Sequence, residues 1–330
     1  MSAIGVLDSR RPELVAEVEP GACVLCGPAP SRLMYQIREL QGPLHMKALT
    51  GDQVFDVRRC LSCGLVFLDP WYSSQRVRKI YSDEYFRRSA DPEGRPRSYL
   101  GERAEKVRAF REEARRLQRF KGGGRLLDVG CGPGFFLASL GDQWERHGID
   151  LSPFAVARAR EEGFHVLQGE FTGEEFAAEC FDAVTLFQVL DHVPDPLAIL
   201  RASYRVLKRD GVLLLTAFNI GSFCARVFQE GYRVLGTNHF HYFAPKTVSL
   251  VLKHAGFKTI RIEFPYFGTP YCSAREVGRL LVGLGRKAMD CITGRRRTIL
   301  SPPFYGNLMR VIACKQELSA RSLADVQAHP

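Results

Sequence analysis

The chain has 330 residues, 45% of them hydrophobic and 25% charged, with a formal net charge of +10. These proportions are ordinary for a folded soluble protein and exclude a largely disordered chain. No apolar run reaches the roughly 18 residues that a membrane-spanning helix needs, and residues 1–20 lack the pattern of a signal peptide. We therefore expect a cytoplasmic protein with disordered ends at 1–20 and 317–330. The positive charge favours acidic partners, and it fits a solvated basic surface equally well.

Two Cys-x-x-Cys pairs stand near the N-terminus, Cys23 with Cys26 and Cys60 with Cys63, and each runs into a glycine. Four thiolates on two tight turns make the closed tetrahedral shell of a structural zinc ion. We predict a small zinc-ribbon-like module over residues 21–72, with short β-strands between and after the pairs. Two alternatives stay open: a site that has lost its metal, and redox-active pairs, although neither pair opens a thioredoxin-like βαβ unit.

The segment 73–120 is predicted to be a helical linker or lid. Apolar residues at helical spacing predict a helix over Ser74 to Tyr85, and residues 91–97 have the composition of a linker. A basic helix is predicted over 101–120, and the Lys-Gly-Gly-Gly run that follows ends it.

A strand, a glycine loop and a helix are predicted in sequence from Arg125 to Leu140. The strand ends in Asp128-Val129-Gly130-Cys131-Gly132-Pro133-Gly134. A dinucleotide-binding loop would place its third glycine where Phe135 stands, so that assignment fails. Such a loop still lets the backbone approach a ligand, and a helix start offers free amide groups to a carboxylate or phosphate.

The Asp-x-Gly-x-Gly-x-Gly pattern resembles motif I of the class I methyltransferases, whose loop holds the methionine part of S-adenosylmethionine. In that family an acidic residue about 20 residues further on clamps the ribose, and Asp150 has that position; Glu170 corresponds less specifically to the surroundings of adenine. The predicted cofactor residues are Asp128, Gly130, Cys131, Gly132, Gly134, Asp150, Leu151, Glu170, Phe187 and Gln188. Alternating strands and helices from Arg125 to Phe264 predict an α/β, Rossmann-like doubly wound parallel sheet, in a domain spanning 121–316.

A loop with acid–base side chains follows the predicted strand Phe181 to Phe187. It carries Asp191-His192 where many relatives carry Glu-His. Histidine titrates near neutral pH, so His192, His239 and Asp191 are predicted to assist catalysis. The plainer alternative makes His192 a loop residue that holds the turn.

Two further segments resemble ones found in bacterial methyltransferases of polysaccharide and natural-product pathways. They contain Tyr81 and Tyr85, and His239 to Phe243, and they predict Tyr81, Tyr85 and His241 as substrate contacts; at helical spacing the tyrosines also fit simple packing. The whole resemblance covers Cys23 to Lys315. It implies a small-molecule acceptor, such as a sugar, nucleotide-sugar or lipid-linked glycan. Transfer to oxygen is favoured over carbon, because relatives that methylate carbon in nucleotide-linked deoxysugars carry a long additional C-terminal domain.

A helical insertion is predicted near the C-terminus, at about 270–303. Within it, residues 274–289 read as a basic amphipathic helix, so the segment 274–297 is predicted either to touch an anionic membrane at its inner face or to pack on the core with its arginines in water. Two other functions compete with the main hypothesis. One is a zinc-module RNA methyltransferase, although the Asn/Asp-Pro-Pro-aromatic motif of base-methylating enzymes is replaced here by Gln188-Val189-Leu190-Asp191. The other is a non-catalytic scaffold that keeps the cofactor fold.

Overall fold

The structure is a computed structural model that describes residues 18–38, 54–73, 76–77, 86, 89–90, 96–97, 100–266, 272–295 and 297–315. Their strands are β1 (Val18–Glu19), β2 (Ser31–Arg38), β3 (Val54–Cys60), β4 (Val66–Asp69), β5 (Trp71–Tyr72), β6 (Ser89–Ala90), β7 (Pro96–Arg97), β8 (Gly124–Val129), β9 (Trp144–Asp150), β10 (His165–Gln168), β11 (Phe181–Phe187), β12 (Leu207–Phe218), β13 (His241–Tyr242), β14 (Phe257–Glu263) and β15 (Leu308–Lys315). Their α-helices are α1 (Arg103–Gln118), α2 (Pro153–Glu161), α3 (Pro196–Val206), α4 (Phe223–Phe228), α5 (Pro245–His254) and α6 (Ala274–Thr293). Most of the two predicted disordered ends lies outside these residues.

The central sheet has seven strands in the order β10-β9-β8-β11-β12-β15-β14. The first five are parallel. The inner strand β11 and residues 211–217 of β12 are almost wholly buried, which is why both stretches are largely apolar. The strand β15 runs antiparallel to both β12 and β14. The predicted all-parallel sheet is therefore wrong at this edge, and the sheet is mixed.

Helices cover both faces of the sheet, as the doubly wound prediction requires. On one face Ala114 of α1 and Val156 of α2 pack with the sheet residues Leu126 and Leu214. On the other face Leu200 of α3 and Val251 of α5 belong to a second cluster. Burial of these two apolar layers fixes the sheet as the middle of a three-layer α/β/α unit.

The helix predicted over Phe135 to Leu140 is instead a 3-10 turn of three residues, Leu137–Ser139. Only six residues separate Gly134 from Gly141, and the amides of Ser139 and Leu140 bond three residues back rather than four. A turn of three residues is too short to form a helix N-terminus. The individual backbone amides of the glycine loop must therefore donate the hydrogen bonds to a ligand that were expected from a helix N-terminus.

The N-terminal module shares its sheet and its core with the rest of the chain. Its antiparallel sheet has the order β13-β4-β3-β2, so a strand from residues 241–242 completes it, with His241 opposite Phe67. Phe55 and Leu68 of the module lie in one cluster with Phe228 and Phe240. The module is thus packed onto the segment that follows β12 and is not an independent domain.

Candidate active site

The glycine loop after β8 adopts the left-handed backbone that its composition predicts. The φ angles of Gly130, Gly132 and Gly134 are +69°, +52° and +81°. A β-carbon on Gly134 would lie 2.8 Å from Cδ2 of Phe164, so this glycine is required by close packing beneath the loop. A β-carbon on Gly132 would meet no atom closer than 3.8 Å, and Gly132 borders a cavity. The loop is therefore tight on its inner side and open on its outer side.

Asp150 ties this loop to the end of β9. One carboxylate oxygen accepts a hydrogen bond from the amide of Gly132 at 2.8 Å, and the other accepts one from the amide of Ser152 at 2.9 Å. Burial raises the pKa of Asp150, while these two amides oppose the rise. Each oxygen keeps a further lone pair, so the carboxylate can still accept hydrogen bonds from a ligand's hydroxyl groups.

Asp128 lies beneath the loop and supports it from below. It is 2% exposed, and the hydroxyl of Thr185 on β11 lies 2.7 Å from its Oδ1. Burial raises the pKa of Asp128 to about 7; the Thr185 hydrogen bond works against the rise, and the charge of Asp150 adds to it. Its buried position is that of a support between the loop and the sheet.

The raised pKa of Asp128 makes the stability of the ligand-free protein depend on pH. Between the ordinary value of 3.8 and about 7, the folded chain holds a proton that the unfolded chain has lost. The free energy of unfolding should therefore fall as pH rises through this window, by of order 1 kcal/mol per pH unit. Asp128→Asn removes this contribution. Urea denaturation of both proteins from about pH 5 to about pH 8 should give a smaller decline for the variant; parallel declines would contradict the assignment.

A cavity of about 600 Å³ opens at the carboxyl ends of β8, β9, β10 and β11. This is where open α/β sheets hold their ligands. Eight predicted site residues line it: Gly130, Gly132, Asp150, Leu151, Glu170, Phe187, Gln188 and His192. Asp128, Cys131 and Gly134 are buried behind the lining, and Cys131 packs against Gly148. The sequence prediction thus brought together residues from four separate strand ends.

Several lining residues were not predicted from the sequence. They include Val77, which comes from the predicted linker segment, and Thr172, Val193, Pro194, Asp195 and Ile199. Phe86 also lines the cavity, and it belongs to the segment with Tyr81 and Tyr85 whose aromatic residues were expected to wall a substrate pocket. The residues after each strand could have been found by their position at a carboxyl end. Val77 carries no such signal, because its approach to the cavity is a long-range contact. Tyr81 and Tyr85 lie outside the described residues.

Asp191, His192 and His239 form a compact group next to the cavity. One ligand atom of each lies within 4.8 Å of the others, and Nε2 of His239 is 3.9 Å from Oδ2 of Asp191. His192 lines the cavity, whereas the other two are buried behind it. Burial, and next the neighbouring His192, lower the pKa of His239 well below its usual value, so this imidazole is neutral. The pair identified in the loop after β11 is thus joined by a histidine from far along the chain.

His241 does not reach the described lining of the cavity. Its side chain is fully buried on β13, and its Nε2 lies 3.0 Å from the carbonyl oxygen of Pro194. Burial lowers the pKa of His241 to about 4. The carbonyl can only accept, so the imidazole donates this bond and holds the Val193–Pro194 part of the cavity wall in place. A substrate contact of His241 stays a prediction.

The four cysteines of the two pairs come together as predicted. Their sulfur atoms all lie within 4.8 Å of one another, and those of Cys23 and Cys63 are 3.4 Å apart. A tetrahedral zinc–thiolate shell has sulfur atoms about 3.8 Å apart, which this arrangement reaches with small adjustments. The φ angles of Gly27 and Gly64 are +63° and +79°, which confirms the left-handed turn expected after each pair. The geometry fits one four-coordinate ion.

The fold and this site define a class of protein. Residues 99–262 match the family model described as a methyltransferase domain, a range that includes β8 to β13 and the whole lining of the cavity after residue 99. With its Rossmann-like mixed sheet and glycine loop, this part of the chain has the fold of a class I methyltransferase.

Particular relatives are enzymes that methylate oxygen. A protein of Xanthomonas axonopodis pv. citri (strain 306), named ubiquinone biosynthesis O-methyltransferase, is 40% identical over 151 residues, which are 41% of this chain and 62% of that protein. A protein of the same name from Xanthomonas campestris pv. campestris (strain B100) is 42% identical over 137 residues, 37% of this chain and 56% of its own. The match thus spans about three fifths of these relatives' length. An S-adenosylmethionine-dependent methyltransferase of Thermotoga maritima, described as a possible histamine N-methyltransferase, superposes with a TM-score of 0.46 and 19% identity, covering 66% of this chain and 94% of that one.

Proposed function

We propose that the protein transfers the methyl group of S-adenosylmethionine to a hydroxyl of a small-molecule acceptor. The observation that carries this proposal is the cavity, which is bordered on one side by the glycine loop with Asp150 and on another by His192. Cofactor and acceptor must meet in one enclosed space for an in-line displacement, and this cavity supplies residues for both. Its volume of about 600 Å³ lies in the range of small-molecule sites.

The residues present fit S-adenosylmethionine. A β-carbon on Gly169 would meet nothing within 4 Å, and that on Gly132 almost nothing, so the backbone at both positions is open for a ligand to lie against. We place the ribose hydroxyls at the carboxylate of Asp150 and the adenine near Glu170 and Phe171. The bound cofactor supplies a sulfonium that activates its methyl group for displacement. The protein's own part is to hold the acceptor in line and keep water out.

The acceptor is placed beside His192. Of the three residues Asp191, His192 and His239, it is the one that lines the cavity, so the reacting hydroxyl belongs there. The sugar or glycan hydroxyl implied by the resemblance is one acceptor class. Apolar side chains such as Val77, Phe86 and Val193 also line the cavity, and these, with the O-methyltransferase relatives, favour a hydroxyl on an apolar or aromatic ring.

The experiment is a methyl-transfer assay with radiolabelled cofactor and two acceptor panels, one of sugars and nucleotide-sugars and one of hydroxylated aromatic rings. We expect transfer to a member of either panel by the wild-type protein and a loss of more than about tenfold in kcat/KM for His192→Gln. The matched control is His254→Gln, since His254 is exposed at the end of α5. Tight cofactor binding with no transfer to any hydroxyl, but transfer to amines or RNA, would overturn the oxygen proposal.

We further propose that Cys23, Cys26, Cys60 and Cys63 hold a structural zinc ion. The sulfur positions support this, and a closed thiolate shell gives the ion no open position for chemistry. The proposed domains are a zinc module over 21–72, a linker or lid over 73–120 and the catalytic domain over 121–316. In this arrangement the module stabilises the segment that carries His239.

Finally, we propose that α6 rests on the cytoplasmic face of an anionic membrane. Among the described residues, no helix has the length and apolarity to cross a membrane. On α6, however, Leu281, Val282 and Ile292 are 63%, 56% and 78% exposed, and exposed arginines such as Arg275 and Arg286 flank them. An amphipathic helix of this kind binds membranes through apolar insertion and charge.

Replacing two exposed residues of α6, in the double variant Leu281→Ser with Ile292→Ser, should weaken vesicle binding by more than about tenfold, because each side chain contributes about 1.5–3 kcal/mol when buried. Co-sedimentation with phosphatidylglycerol vesicles measures this, and phosphatidylcholine vesicles test the charge. The matched control is Ile260→Ser, which removes an exposed isoleucine from β14. Equal binding by the double variant would refute the membrane proposal.

A further inference from the structure

The group of Asp191, His192 and His239 has properties that methyl transfer does not require. It brings the neighbouring Asp191 and His192 and the distant His239, two imidazoles and one carboxylate, to within 4.8 Å of one another. The two imidazole rings are tilted against each other, with centroids 4.5 Å apart and planes inclined at 49°. Two histidines and one carboxylate are a recurring ligand set for divalent transition-metal ions.

Both histidines are oriented by backbone carbonyl groups. Nδ1 of His192 lies 2.9 Å from the carbonyl oxygen of Asn238, and Nδ1 of His239 lies 2.8 Å from that of Val234. A carbonyl oxygen cannot donate, so each Nδ1 carries the proton, and the lone pair of each ring is on Nε2. This is the outer support that metal-binding histidines have in proteins, where the distal N–H bonds to a carbonyl or carboxylate.

Asp191 is a buried acid that lacks a counter-charge at bonding distance. Its side chain is fully enclosed, and neither carboxylate oxygen makes a hydrogen bond within the described part of the chain. The backbone amides of Asp191 itself and of Phe218 lie nearby without reaching hydrogen-bonding geometry. Burying such a group costs free energy unless something compensates its charge. Nε2 of His239, at 3.9 Å, is too far for a hydrogen bond and well placed to share an ion.

We propose that Asp191, His192 and His239 bind a divalent first-row transition-metal ion at the wall of the cavity. Two imidazoles and one carboxylate occupy three positions of such an ion and leave others open. His192 borders the cavity, so the open positions face the space in which the acceptor lies. One part of this inference rests on the proposed methyl transfer: the acceptor's oxygen, which receives the methyl group, is itself a ligand of the metal ion. The binding itself does not depend on that reaction.

Manganese is the probe that separates this site from the four cysteines. Thiolates prefer zinc and other soft ions, whereas carboxylate and imidazole accept Mn²⁺. The purified protein is titrated with Mn²⁺ without first adding metal to the cysteine site or removing metal from it. Free Mn²⁺ is measured by electron paramagnetic resonance. We expect one equivalent bound by the wild-type protein. Asp191→Asn and His239→Gln should each weaken binding by more than about tenfold, since even the loss of an outer partner costs 10–100-fold.

The control is Asp195→Asn, which removes the same charge from a residue that also lines the cavity. Asp195 caps α3 through a 2.9 Å hydrogen bond to the amide of Ala198, and asparagine caps equally well. This variant should bind Mn²⁺ like the wild-type protein. Asp191→Asn removes a buried charge, so the fold should persist, and S-adenosylhomocysteine binding reports that it does; if it does not fold, His192→Gln takes its place.

Two results would overturn the metal site: no Mn²⁺ bound by the wild-type protein, or equal binding by Asp191→Asn and wild type. Neither result touches the proposed function, whose test is the binding of S-adenosylhomocysteine and the transfer of the methyl group of S-adenosylmethionine. Conversely, a protein that binds one Mn²⁺ and no cofactor would keep the metal site and lose the methyltransferase.

Discussion

Replacing Asp150 by alanine should weaken the binding of S-adenosylhomocysteine at least about 100-fold. The carboxylate lines the cavity and keeps free lone pairs for the ribose hydroxyls, and a hydrogen bond to a charged group contributes about 1.5–3 kcal/mol. Two such bonds lost correspond to two or more powers of ten in the dissociation constant. The same change leaves the amides of Gly132 and Ser152 without their present acceptor, so the loop that lies against the cofactor loses its support. Isothermal titration calorimetry measures the loss.

The informative comparison for Asp150→Ala is Glu170→Ala. Both residues line the cavity, but Glu170 is exposed, and its assignment to adenine rests on weaker sequence definition. We expect a change of no more than a few fold for Glu170→Ala. Circular dichroism of both variants shows whether the fold is retained. If the two variants bind alike, the ribose is held elsewhere and the placement of the cofactor in this cavity is wrong.

Much of the fold was predictable because its signals are local. The strand Phe181–Phe187 was predicted with its observed bounds, since a short, mostly apolar run between turn residues is typical of a strand that is buried on both faces. The start of α2 follows from Ser152, whose side chain accepts from the amide of Ala155, and from Pro153. The glycine loop and the two cysteine turns were found for the same reason. Each needs a backbone conformation that few other residues adopt.

The parts that could not be predicted depend on contacts between distant residues. Nothing in the residues of β15 states that it will run antiparallel between β12 and β14. The pairing of His241 with Phe67 joins two segments that have no common pattern in the sequence. His239 was matched to a family segment, but its approach to Asp191 is a property of the folded chain. The candidate residues could thus be named from the sequence, and their grouping required the structure.

The pairing of β13 with β4, which joins His241 to the cysteine module, leads to the prediction with the widest effect. Removing the proposed zinc ligand Cys60, as Cys60→Ser, should abolish methyl transfer while leaving much of the cofactor binding intact. Structural zinc contributes about 10–16 kcal/mol to small domains that fold around it, and the shared core here can offset only part of that loss. The four-stranded sheet would loosen, and β13 with it, because β13 pairs with β4. His239 and His241 flank Phe240, whose carbonyl oxygen accepts a hydrogen bond from Leu68, so both would lose their positions.

The cofactor site should respond differently, because its residues belong to the central sheet. We expect Cys60→Ser to contain less than one equivalent of zinc by elemental analysis, to bind S-adenosylhomocysteine within about tenfold of the wild-type protein, and to lose transfer by more than about 100-fold. Cys291→Ser is the matched control, since Cys291 is exposed on α6 away from the four cysteines and should leave all three measurements unchanged. Full transfer activity in a zinc-free Cys60→Ser protein would show that the module does not position the histidine segment. Equal loss of cofactor binding and transfer would show instead that the module and the central sheet unfold as one unit.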